Sequence, residues 1–501
     1  MNSENSIRTV AILGGGTAGW VAAAILARVF RNRLHIVLVE AEDVPIIGVG
    51  EATIPPILDL LHVLGVAPRD FMQATGATCK LGIWFEDWNG PGHRYWHPFG
   101  TFGAPVNGRP FQHFWPRIRA ADPHADIAEY SATASLAEAM KFAEAPGVRH
   151  ALHFDAVLVG QYLRHLAQAG GVQRLVARIT GCTRNGAGLI EELVTTDGRR
   201  VAADLFIDCS GFASALLGRE LSVPNIDYQH WLPCDRAIAG PSAPCTPLPP
   251  YTFAAAHPAG WRWRIPLQHR TGNGIVYSSH WMTDDTAQDL LLRAVPDLRA
   301  DALRPLRFKA GRRAVFWQGN CVALGLASGF LEPLESTSIQ LVINGMFRLL
   351  DHFPDRSFAP PDIAAFNHAV TTEFDAVRDF IILHYWLARR RDGGFWQYCA
   401  AMQVPDALRE RVELYQQAGH IVPHAEEMFT DLSWFFVLDG LGAQPARSDA
   451  LAALPAQADL LAVLAQLRAR VAASAQSAPL HDAWLADTLA DTSPREMLQR
   501  G

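Results

Sequence analysis

Thr9-Val10-Ala11-Ile12-Leu13-Gly14-Gly15-Gly16-Thr17-Ala18-Gly19 is an apolar, β-prone run that empties into a glycine loop. Residues 20–30 then carry helical periodicity and residues 34–39 form a second apolar run, which together predict a βαβ unit. The loop fits G-x-G-x-x-G: Gly14 for the tight turn, Gly16 for close backbone approach to a pyrophosphate, Gly19 for helix packing. Thr17 and Ala18 open the helix, whose free N–H groups face the phosphates. Glu40 closes the second strand 21 residues after Gly19, where a carboxylate holds the ribose hydroxyls of an adenosine. Strand, loop, helix, strand and acid in register predict dinucleotide binding. Apolar runs ending in glycine turns recur at 205–211 and 319–329, pieces able to close around a longer cofactor, so FAD is favoured over NAD.

The fold class that follows is α/β: a Rossmann-like, flavin-monooxygenase-like FAD-binding domain assembled from distant segments, with a mainly helical substrate-binding cap. Residues 1–345 form the nucleotide domain, with a substrate-side region inserted at about 84–150, and residues 346–501 the helical region. The stretch from Trp84 to Trp115, rich in aromatics, glycine and proline, reads as an ordered loop or lid. Residues 451–473 read as helix.

Composition excludes several classes. With 49% hydrophobic and 19% charged residues the chain is globular, and a net charge of −7 offers nucleic acid or an anionic membrane no attraction. No run approaches a membrane span, and the start lacks a signal peptide. Seven scattered cysteines without a Cys-x-x-Cys or zinc spacing read as reduced thiols in a cytoplasmic protein that binds no metal. Only three of the 43 basic residues are lysine, so Lys80 marks a place where an ammonium or amine is wanted rather than a guanidinium.

Gly260-Trp261-Arg262-Trp263-Arg264-Ile265-Pro266 places two indoles on one face of a strand, and Pro266 predicts an end at a sheet edge or rim. Trp261, Trp263, Ile265 and Pro266 make the string Trp-x-Trp-x-Ile-Pro, which resembles the fingerprint of flavin-dependent halogenases of the tryptophan-halogenase type. Further blocks match in order: Gly48-Val49-Gly50-Glu51-Ala52-Thr53-Ile54-Pro55, the Lys80 region, Tyr95-Trp96-His97-Pro98-Phe99, Gly325-Leu326-Ala327, and Phe330-Leu331-Glu332-Pro333-Leu334-Glu335-Ser336-Thr337.

The resemblance implies that FAD, reduced by a separate flavin reductase, uses oxygen and chloride or bromide to form hypohalous acid. Lys80 relays this oxidant to an electron-rich aromatic substrate, holding it by hydrogen bonding or as a haloamine. Spacing does not choose between Glu332 and Glu335 as the second catalytic acid; the family match selects Glu335. It also puts Gly50, Ala52, Thr53, Leu326 and Ile339 at the flavin, and Thr337 and Ser338 at the halide, where a helix start supplies free N–H groups. Many relatives carry glycine at the position of Ser338. His97 and Phe99 match residues that sandwich the arene. The tryptophan pair is implied to keep substrate away from the flavin.

Trp434, Phe435 and Leu441 stand where tryptophan-specific relatives use two tyrosines and a glutamate to grip the amino acid. Apolar groups cannot satisfy a zwitterion buried in that place, and no aromatic follows shortly after Pro445. An indole-like arene, or a larger or carrier-bound aromatic, fits the substrate-binding candidates Trp434 and Phe435 better than free tryptophan. Two other readings keep the glycine loop: a flavin-dependent aromatic monooxygenase and a flavin-binding protein without turnover. Neither needs Lys80 and Glu335. A homodimer is compatible with all of them.

Overall fold

The computed structural model describes residues 5–41, 50–422, 427–447 and 449–490. Gly48 and Val49 of the matched motif lie outside the described residues. The opening unit forms as its pattern requires: strand Thr9–Leu13, helix Thr17–Phe30 and strand His35–Glu40. Gly19 to Ala27 are all buried, as expected of a helix apolar on every side. The two strands pair in parallel and stand inside a six-stranded sheet with Leu205–Asp208, Cys321–Ala323, Gln173–Val176 and an edge hairpin strand Trp317–Gln318. The strands at 205–208 and 321–323 therefore join the sheet from far along the chain, and their continuous apolar runs suit burial on both faces.

A seven-stranded sheet holds the tryptophan pair. Its order is Arg304–Arg307, Arg236–Ser242, Thr271–Tyr277, Gly260–Pro266, Thr252–His257, Gly82–Glu86, Arg94–Pro98. Gly260–Pro266 lies in the interior of the sheet, not at the edge that Pro266 suggested. Proline is tolerated because it is the last residue of the strand, where a missing N–H costs the ladder little, and its carbonyl accepts a hydrogen bond from Thr78 Oγ1 at 2.7 Å. The stretch expected to be a loop from Trp84 is, in its first half, an antiparallel hairpin that extends this sheet. Aromatics on both faces hid its alternation: Phe85 stacks on Tyr95 at 4.7 Å on one side, and Trp84 meets Trp96 at 4.6 Å on the other.

A small antiparallel sheet, Gly50–Ala52, Ala151–Asp155 and Thr78–Lys80, joins the two large ones and carries Lys80. Helices dominate afterwards: Ser338–Asp351, Pro360–Leu387, Gly394–Ala401, Asp406–Ala418, Asp431–Gly440, Gln457–Ser477 and His481–Ala490. The helix expected over 451–473 begins only at Gln457, because Pro455 disfavours helical backbone in the residue before it. The boundary drawn between 345 and 346 falls inside Ser338–Asp351. Ile339, Val342, Ile343, Met346 and Leu349 of that helix share one continuous core with the buried helix Thr17–Phe30. Among the described residues no helix is long and apolar enough to cross a membrane, and all seven cysteines are free.

Candidate active site

A cavity of ≈ 1040 Å³ runs from the glycine loop to the seven-stranded sheet, at the upper end of the size of ligand sites. Gly14, Gly16, Thr17, Ala18 and Glu40 line it, as do Gly50, Ala52, Leu326, Ser338 and Ile339. Gly19 does not; a Cβ there would stand 1.9 Å from Gly14 O, so its role is packing. Thr53 is not on the wall either. Its hydroxyl donates to Leu152 O at 2.7 Å and its carbonyl faces Lys80. Glu40 is paired with Arg174, and Arg174, Arg178, Arg219 and Arg307 all reach the lining. No local motif marked those arginines in the sequence.

The wall fits FAD. Gly16 has nothing within 4 Å of where a Cβ would sit, which leaves its backbone open to a phosphate at the start of a helix. The guanidinium groups complement a pyrophosphate. At the other helix start, Thr337 precedes Ser338–Asp351, and its buried Oγ1 has no hydrogen-bond partner. An orphaned hydroxyl beside free N–H groups is a fitting place for a small anion.

Lys80 is fully buried on its strand. Its Nζ donates to Thr53 O and Ser336 Oγ, each at 2.9 Å, and lies 5.3 Å from the Phe99 ring centroid. Burial lowers its pKa to about 7, partly opposed by Glu335. Ser336 has a left-handed backbone, φ 61°, rare for a residue with a side chain. Ser336 also lines the cavity, so one residue borders the cavity and holds the lysine. Glu335 is buried between two imidazoles: His97 Nδ1 lies 2.9 Å from Oε2 and His384 Nε2 lies 2.6 Å from Oε1. Burial lowers the His384 pKa to about 4. Its Nε2 faces the Glu335 carboxyl, and its Nδ1 is buried without a partner. Sequence reading missed His384 because it sits in the long helix Pro360–Leu387 with no local motif.

Trp261 and Trp263 share one face, 5.9 Å apart, and with Ile265 form the sheet-side wall of the cavity. Phe99 and Phe380 lie 6.4 and 5.7 Å from the His97 ring, and Trp434 meets Phe380 at 5.0 Å. Trp434 Nε1 is buried and unpartnered, with the Arg411 guanidinium 4.2 Å from the ring centroid. Phe435 points elsewhere and stacks on Phe102 at 5.3 Å. Trp434, Phe435 and Leu441 are all buried. The structure thus gathers Lys80, Glu335, His97 and Phe99 with Thr53 and Ser336, reaches Trp434 through Phe380, and separates Phe435 from them. One group of potential metal ligands occurs among the described residues, His113, His420 and Asp449, within 4.8 Å of one another, but Asp449 is already paired with Arg109.

A glycine loop on a parallel sheet, opening into a dinucleotide-sized cavity with an indole wall, defines an α/β FAD-binding fold. The chain belongs to the tryptophan halogenase family: the model described as Tryptophan halogenase matches residues 9–457. Among solved structures, BrvH, a flavin-dependent halogenase from Brevundimonas sp. BAL3, is 44% identical with a TM-score of 0.92, covering 96% of this chain and 99% of that one. Xcc4156, a flavin-dependent halogenase from Xanthomonas campestris, is 41% identical with a TM-score of 0.94, covering 98% and 100%. Tryptophan 6-halogenase SttH of Streptomyces toxytricini is 34% identical over 482 residues, 88% of this chain and 91% of that protein. The protein is accordingly an enzyme, a flavin-dependent halogenase.

Proposed function

We propose that the enzyme halogenates an electron-rich, indole-like arene through Lys80. The observation that carries this reading is the buried Nζ, held by Thr53 O and Ser336 Oγ beside Phe99, with Ser336 also on the cavity wall. FAD, reduced by a separate flavin reductase, supplies with oxygen the two-electron oxidation that turns halide into hypohalous acid. Thr337 and Ser338, at the helix start, hold the halide by the orphaned hydroxyl and free N–H groups. The Trp261 and Trp263 rings occupy the sheet-side wall and exclude the arene from the cavity.

Two N–H groups of a neutral Lys80 amine satisfy its two acceptors, which leaves the lone pair to take the halogen. Attack on hypohalous acid forms an N–halogen bond and releases water. Arene attack then breaks that bond and forms a carbon–halogen bond. Glu335, its carboxylate oriented by His97 and His384, takes the proton lost from the arene carbon and returns one to the lysine nitrogen that gave up the halogen, so that amine and carboxylate are both regenerated.

Buried Trp434 and Leu441 at the matched positions support an arene without a zwitterion, because nothing apolar there can pair an ammonium and a carboxylate. Free tryptophan is the second reading, favoured by the similarity to tryptophan 6-halogenase SttH. The test is turnover with a flavin reductase, NADH, oxygen, bromide or chloride, and a panel of indoles, phenols and tryptophan, read by mass spectrometry. Halogenated indole with higher kcat/KM than tryptophan is expected. Hydroxylated product without halogenated product would overturn the reading in favour of a monooxygenase.

A further inference from the structure

Glu332 is a buried acid that the proposed chemistry does not use. One of its carboxyl oxygens, Oε2, accepts from Trp261 Nε1 at 3.2 Å and from Tyr385 OH at 2.6 Å, while Oε1 is buried with no partner. Its side chain therefore joins the cavity wall to the helix Pro360–Leu387. Adjacent residues of that helix grip both glutamates of one short segment: Tyr385 takes Glu332 and His384 takes Glu335. The next residue of the segment is Ser336, at φ 61° and bonded to Lys80. A residue with a side chain stays in that conformation only where its surroundings over-determine it. The two grips supply that constraint, one on each side of Pro333 and Leu334.

We propose that Glu332 is a positioning residue for halogen transfer: through Tyr385 and Trp261 it fixes residues 332–336 against the cavity wall, so that Ser336 bridges the cavity to Lys80 and the oxidant is delivered rather than lost. The proposal rests on the reading of Lys80 as the halogen relay. Burial raises the Glu332 pKa to about 7, in keeping with a protonated Oε1 that needs no cation beside it. A glutamine reproduces that neutral group, with an oxygen for both donors. Leucine reproduces only the bulk and leaves two donors orphaned.

The experiment measures halogenated product per oxygen consumed and free hypohalous acid captured by a solution trap. It uses the full chain with FAD, reductase and bromide, alongside FAD affinity and melting temperature. Tyr385→Phe and Glu332→Leu are expected to lower coupling about fivefold or more, on the scale of one lost hydrogen bond, and to raise trapped oxidant at near-unchanged FAD affinity. Glu332→Gln is expected to stay within about twofold of the parent, since it keeps the acceptor oxygen. Should Glu332→Leu fail to fold, Tyr385→Phe, which leaves the acid in place, decides. Unchanged coupling in Tyr385→Phe, or a Glu332→Gln variant as uncoupled as Tyr385→Phe, would overturn the proposal. Lys80→Arg in the same assay separates the two readings: if it couples like the parent the relay itself fails, and if it alone uncouples only the Glu332 role fails.

Discussion

Lys80 owes its chemistry to the few atoms around one nitrogen. Burial pulls its pKa from the ordinary 10.5 to about 7, and its two acceptors are matched by the two N–H groups of an amine. Halogenation per oxygen consumed is therefore expected to rise with pH through about 7, as the third proton leaves; a profile flat from about pH 6 to 8.5 would count against an amine relay. The same shift has a stability consequence. Between about 7 and 10.5 the unfolded chain binds the Lys80 proton more readily than the folded one, so the burial penalty is full below that window and fades as pH rises through it. Lys80→Met should be more resistant to urea than the parent near neutral pH and should show a smaller gain between pH 7 and 9.5. For Glu335, replacement by glutamine keeps the two imidazole contacts in shape but removes the proton acceptor. A fall of about 10²-fold in single-turnover halogenation, without loss of FAD, is the expected result. Lys80 was legible because lysine is scarce in this chain and the residue falls in a matched block. His384, by contrast, contributes through a fold that brings residues 335 and 384 together, and nothing near it in the chain announces that.

Elements were legible where their cause is local. The opening βαβ unit follows from period and glycine spacing over some thirty residues, and its three pieces form as read. Strand neighbours are not local, so the interior place of Gly260–Pro266 and the hairpin at 82–98 escaped. The glycine loop yields a contrast that separates folding from binding. Gly14 has φ 113° and a Cβ there would lie 2.2 Å from Cys209 O, so Gly14→Ala is expected to lower the melting temperature even without cofactor. Gly16 has ordinary extended backbone, φ −75°, and open space beyond it. Gly16→Val should keep the melting temperature of the free protein and weaken FAD binding by at least about tenfold, because the added carbons occupy the phosphate approach. Differential scanning fluorimetry and flavin titration of both variants measure the two effects independently. Equal behaviour of the pair would remove the distinction between a packing glycine and a binding glycine.

At the scale of the whole molecule, the core does not respect the division between nucleotide and helical regions. Helix Ser338–Asp351 crosses it, Trp261 on the sheet is tied to Tyr385 in Pro360–Leu387, and Lys80 on the small sheet is tied to Ser336. Sequence could not supply this, because each tie joins residues distant in the chain. A continuous core predicts cooperative loss of structure. Tryptophan fluorescence, which samples the sheet through Trp261 and the helical region through Trp396 and Trp434, should therefore melt together with far-UV circular dichroism in a single transition. Residues of both large sheets and of the helix start line one cavity, so binding of FAD there should move that transition as a unit. At a free concentration about 100 times Kd the added stability is about 2.7 kcal/mol if the unfolded chain has no affinity for it. Two resolved transitions, only one of them shifted by FAD, would mean that the helical region unfolds by itself and that the ties through Glu332 and Ser336 are too weak to couple the two halves.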